Sequence, residues 1–175
     1  MRSSQLPLVF GVVITILGGV FLLNRASEQA RDTIRKHHLA DVEQSLFFAR
    51  ELHGTVPPYE NTSWCGLLND PKNTTVRDQI ELALRQQNNK YGNEAKPFPA
   101  DPLAGQQPRE ASAKWDRIYD YFYWKRSPAV FELYAILEQD QNKERNTLLC
   151  ANSPPLYYDY GITSRWRENL INLTS

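Results

Sequence analysis

The residues able to do chemistry are few and widely spaced. The chain has three histidines, His37, His38 and His53. A metal or catalytic pair on a helix needs imidazoles one turn apart on one face, with acidic partners. Adjacent histidines point in different directions, so these read as solvated or interfacial side chains. The carboxylates Asp101, Asp140, Glu144 and Asp159 could gather round a cation after folding, but nothing in their spacing requires it, and a solvated surface is the simpler reading. Two cysteines, Cys65 and Cys150, lie too far apart for a CxxC redox or zinc motif. Outside the cytoplasm they could pair and staple an early loop to the late part of the chain; otherwise they are two unrelated buried thiols. No GxSxG, P-loop, GxGxxG, HExxH or EF-hand pattern occurs, and no nucleophile has a credible base beside it. The expectation is a non-enzyme with no catalytic, cofactor-binding or metal-binding residues.

The charge balance narrows the partners. Twenty basic and twenty acidic residues cancel, so no strong field points to nucleic acid. The aromatics are the compositional peculiarity: nine Tyr, seven Phe and four Trp. Those after Trp115 favour strands over helices.

The elements that must position these residues begin with residues 6–23, LPLVFGVVITILGGVFLL, which no charge interrupts. Eighteen apolar residues make a helix of about 27 Å, just enough to cross a hydrocarbon core. The run is long for a secretory signal and continues without a small-x-small break, so a retained anchor is expected rather than a cleaved leader. Residues 25–53 lack Pro and Gly. Leu39, Val42, Leu46 and Ala49 form an apolar stripe on them, with Ala30 and Ile34 extending roughly the same stripe. Gly54 and Pro57-Pro58 stop the helix. Span and stripe read as one rod of about 45 residues, near 70 Å long.

Loop-like chain follows, with Trp64-Cys65-Gly66 as a buried knot, and then a second helix. Thr74 or Thr75 can cap it, and Val76, Ile80, Ala83 and Leu84 give it an apolar face. Prolines dominate residues 97–102. Then the period changes to two. Residues 118–124, IYDYFYW, and 130–138, VFELYAILE, joined by Lys125-Arg126-Ser127-Pro128, predict an antiparallel hairpin displaying Tyr121, Tyr123, Phe131 and Tyr134. Residues 156–162 predict a third strand. The domain organisation is an anchor at 1–24 and a folded part at 25–175. The latter divides into the helical continuation 25–53, a loop region with a short helix at 54–115, and a sheet with tail at 116–175.

This order resembles type IV pilin-like and type II secretion pseudopilin-like proteins. Residues 30–36, the Leu39-Ala40-Asp41-Val42 and Leu46 stripe, and His53-Gly54-Thr55-Val56-Pro57 are similar to their Arg-rich entry, apolar stripe and G-x-Y-P stop. Phe98-Pro99-Ala100-Asp101-Pro102-Leu103 resembles their Y-P-x-D-P segment. Tyr121-Phe122-Tyr123-Trp124 with Phe131-Glu132-Leu133-Tyr134-Ala135 resembles their hairpin. Gly11 is followed by Val-Val-Ile-Thr-Ile and no acid precedes Glu28, so the resemblance is to a diverged form without the prepilin cleavage motif.

The resemblance implies an α+β fold, a long N-terminal helix packed on a small antiparallel sheet. It implies a single-pass protein of the cytoplasmic membrane, anchored through residues 6–23, with its C-terminal domain extracytoplasmic. The implied function is an accessory component of a type IV pilus or type II secretion-like assembly, or a cell-surface interaction protein. Other pilin-like or secretion-system subunits would be its partners. A membrane-tethered ligand-binding or sensory domain, built on the aromatic strands and the Trp64–Cys65 region, is the alternative.

Overall fold

A computed structural model describes residues 6–60, 62–94, 97–106, 119–138, 146–148, 156–158 and 160–164, with the side chains of 6–16, 146–148 and 156–158 outside the description. Helix α1 runs Leu6–His53. Gly54 ends it at φ 73°, donating its N–H to the Arg50 carbonyl, the left-handed stop for which glycine is suited. Strand β1 (Trp64–Leu67), a 3₁₀ turn (Pro71–Asn73) and helix α2 (Thr74–Lys90) come next. Strands β2 (Phe122–Lys125), β3 (Phe131–Ala135), β4 (Asn146–Leu148), β5 (Leu156–Tyr158) and β6 (Tyr160–Thr163) complete the described elements.

The fold is α+β. One sheet has the order β1-β2-β3-β6, every pair antiparallel. A separate ladder joins β4 to β5. The turn between β2 and β3 closes where Arg126 and Ser127 donate their N–H groups to the Val130 carbonyl. Side chains alternate across the pleat. Tyr121, Tyr123, Phe131, Leu133 and Ala135 therefore face α1 and α2, whose Leu39, Val42, Leu46, Val76, Ile80 and Leu84 complete the main core. Ala49 is buried on the same side of α1. Phe122, Tyr134, Ile136 and Tyr119 form a second cluster with Leu103. Each fully buried apolar side chain contributes about 1.5–3 kcal/mol, so the main core holds the sheet to the helices, while the second cluster covers the other face.

Several elements differ from expectation. The Trp64–Cys65 region forms edge strand β1, paired Cys65 to Trp124 and Gly66 to Tyr123. The third strand divides into β5 and β6. Helix α2 is capped by Asn73, without a side-chain cap bond from it, rather than by Thr74 or Thr75. Ala30 and Ile34 are exposed, while Asp32 and Arg35 turn inward.

The membrane expectation is corrected. Among the described residues no helix is long and apolar enough to cross a membrane. Helix α1 is long, but from Arg25 onward it carries charged residues, beginning with Arg25, Glu28, Arg31, Asp32, Arg35 and Lys36. Leu17, Val20, Phe21, Leu22 and Leu23 are exposed. The anchor at residues 6–23, membrane partnership, single-pass topology and extracytoplasmic placement are dropped. With them go the membrane-anchored pilus, secretion or cell-surface assignment and its membrane-tethered sensory alternative. Cys150, the partner expected for Cys65, lies outside the described residues. Cys65 itself is half-buried and is not a free thiol.

Candidate functional site

Two polar constellations emerge, and they do different work. The first is closed. Asp32 and Arg35 lie one turn apart on the inward face of α1, and both are buried. The Arg35 guanidinium donates from Nε and Nη2 to both carboxylate oxygens of Asp101, at 2.8 and 3.1 Å. Its Nη1 donates to Asp32 at 2.8 Å and to Glu138 at 2.9 Å. Arg31 holds Glu138 from the other side at 2.7 and 2.6 Å. The Tyr119 ring lies 4.5 Å from the Arg35 guanidinium carbon. Asp101 also accepts the Leu103 N–H, and Asp32 accepts the Glu138 N–H.

Burial opposes the charge on Arg35, but the hydrogen bonds and field of Asp101, with Glu138 and Asp32, outweigh it and raise its pKa. Burial likewise opposes charge on Glu138; Arg31 and Arg35 prevail and hold its pKa low. The Tyr119 phenol is pushed up to about 12 by burial and by the Glu138 charge. A planar donor fork matched to carboxylates at this depth is a clasp, not a reactive centre. It ties α1 to the loop before β2 and to the chain just after β3.

The second constellation is open. The 37–51 stretch of α1, the C-terminal half of α2 with the residues just beyond it, and residues 97–100 line the opening. The resulting groove encloses about 1110 Å³. Phe47, Phe48, Leu84 and Phe98 supply apolar surface, with Pro97 and Pro99 along one edge. Carboxamides line the helices: Gln44 on α1, Gln87 and Asn88 on α2, and Asn93 just beyond it. The Gln87 amide reaches the Gln44 side chain at 3.5 Å. Beneath it, Leu46 of α1 and Ile80 and Leu84 of α2 share the main core.

The residues singled out from sequence fall as follows. Leu39, Val42, Leu46 and Ala49 are buried, and Tyr121, Tyr123, Phe131 and Tyr134 are core. His37 and His38 edge the groove. His37 lies 3.7 Å from Asp41, one turn on, and a His38 ring nitrogen lies 2.7 Å from the Tyr121 hydroxyl. His53 sits against the Tyr59 ring. Asp140, Glu144 and Asp159 lie outside the described residues. Asp101 is committed to Arg35, and among the described residues no cluster of His, Cys, Asp and Glu could hold a metal ion.

Sequence reasoning missed Arg35, Glu138 and the carboxamide groove. The first carried a signal: Asp32, Arg35, Leu39, Val42, Leu46 and Ala49 follow one another at helical spacings of three and four, so two charges sit in phase with the apolar stripe. No known protein family matches the chain, and no curated protein or solved structure matches it.

Proposed function

We propose that this chain is a non-enzymatic binding domain that holds a segment of another protein in the groove between α1 and α2. One observation carries the reading: an open groove of about 1110 Å³, with an apolar floor and a polar rim. Its volume lies just above the roughly 300–1,000 Å³ of small-molecule pockets, and because it is open rather than enclosed a chain segment can lie in it. The non-enzymatic part is supported by how the other polar groups are used. Arg35 and its carboxylates bind one another, and His38 is engaged by Tyr121. A pilin-like layout belongs to the same proposal, supported by the order of long helix, loop region and antiparallel hairpin.

The test is a random peptide library selected on the immobilised full-length chain. Phe48→Glu places a charge on the half-buried groove floor and serves as the comparison. Enrichment of peptides that bind the native chain and lose binding to Phe48→Glu is expected. A library that enriches nothing, or binders indifferent to Phe48, would overturn the reading.

A further inference from the structure

We infer that the occupant of the groove is an extended, net-neutral peptide of polyproline-II character, held by side-chain carboxamides at its backbone and by aromatic and proline surfaces at its side chains. This rests on the groove reading above and specifies its ligand.

The charge pattern selects a neutral occupant. Asp41 and Glu51 are offset at the groove by Arg50 and by Lys90, whose ammonium lies 5.2 Å from the Phe48 ring centre and 5.7 Å from that of Tyr91. A strongly acidic or basic segment would lose hydration here without an excess of opposite charge to replace it.

The carboxamides select an extended backbone. A helix satisfies its own N–H and C=O groups, whereas an extended chain leaves them needing partners. A carboxamide offers donors and an acceptor on one planar group and so matches a peptide unit. Gln44, Gln87, Asn88 and Asn93 bring such groups to the groove from both helices. In a polyproline-II segment the carbonyls project outward without internal bonds, and the amide N–H₂ groups are suited to meet them.

The apolar surfaces select the side chains. Phe47 and Phe48 are half-buried, and Tyr91 is exposed at the end of α2. Pro97 and Pro99 line the same groove, and such ring surfaces suit the packing of proline rings and aromatic side chains. A preformed polyproline-II segment also has little chain entropy to lose on binding.

The experiment uses the full-length chain and fluorescein-labelled peptides of equal length, read by anisotropy. One is neutral and rich in proline and tyrosine. The others are a neutral alanine-rich helix former, an acidic peptide and a basic peptide. The proline-tyrosine peptide is expected to bind most tightly and to lose all measurable binding with Phe48→Glu. Gln87→Met and Gln44→Met keep the side-chain length and remove the hydrogen bonds; each should weaken binding roughly tenfold. Preference for the helical or a charged peptide, still abolished by Phe48→Glu, would overturn the ligand assignment and leave the groove reading standing. Equal binding by the methionine variants would overturn the carboxamide role. Silence from all four peptides, together with an unproductive random library, would overturn both.

Discussion

Arg35 and Asp101, 66 residues apart in sequence, meet as a two-pronged ion pair with both side chains fully buried. Removing one partner of such a pair strands the other in a medium that cannot hydrate it, at a cost of about 3–5 kcal/mol. Arg35→Met should therefore destabilise the fold by about that much in urea unfolding. The double variant Arg35→Met with Asp101→Leu should recover part of the loss, because it removes a stranded charge. A double variant at least as unstable as the sum of the two single changes would show that the clasp is not a coupled unit.

Gly161 is fixed by a ring rather than by its backbone angles. It pairs with Tyr134 across β3 and β6, and a Cβ there would lie 2.5 Å from the tyrosine ring. Overpacking of this kind costs about 1–3 kcal/mol. Gly161→Ala should lower the unfolding midpoint accordingly. Paired with Tyr134→Leu, it should cost visibly less than in the native background. An equal cost in both backgrounds would assign the effect to strand propensity instead.

Asp120 predicts a pH dependence with a definite sign. Its carboxylate accepts the Asn69 side-chain amide at 2.6 Å and the Asn69 N–H at 3.3 Å, yet burial pushes its pKa up to about 6. An unfolded aspartate titrates near 3.9, so between those values the folded chain binds more protons than the unfolded one. This group's contribution is therefore most favourable at low pH and declines as pH rises from about 4 to about 6. The full difference is about 3 kcal/mol. Glu138, held low by Arg31 and Arg35, works in the opposite sense and loses stabilisation as pH falls. Asp120→Asn isolates the first effect. The stability of the native chain relative to this variant should fall on going from pH 4.5 to pH 7, and a flat difference would be incompatible with the assignment.

Gly54 sits at φ 73° with open space around its Cα. Gly54→Ala should cost about 1 kcal/mol from backbone strain alone, without altering peptide binding in the groove. A larger loss would mean that the end of α1 supports more of the fold than its own last turn.

The parts of the fold legible in sequence were those set by local periodicity. The stripe Leu39–Val42–Leu46–Ala49 and the alternation in residues 130–138 are one-dimensional patterns, and a helix and a strand follow from them directly. Strand β1 was hidden because Trp64, Cys65, Gly66 and Leu67 are too few to alternate visibly, and its partner β2 lies far along the chain. The clasp was hidden for a related reason. Asp101 and Glu138 reach Arg35 only through tertiary folding, although the in-phase charges Asp32 and Arg35 gave half the answer. The groove had no linear trace, because its lining comes from α1, the end of α2 and residues 97–100, which only folding brings together. The apolar run at residues 6–23 misled for the reverse reason: hydropathy by itself assigned it a bilayer that the described helix does not support.

The clasp also divides α1 into two lifetimes. From residue 32 onward its inward face is locked by Arg35 and then by the core, whereas residues 17–27 are exposed on every side. Backbone amides in the locked part can exchange with solvent only when the whole domain opens, while those before it exchange through fraying of an isolated helix. In a hydrogen-exchange experiment one continuous helix should therefore show a step in protection near Asp32, and Arg35→Met should move that step toward Leu39.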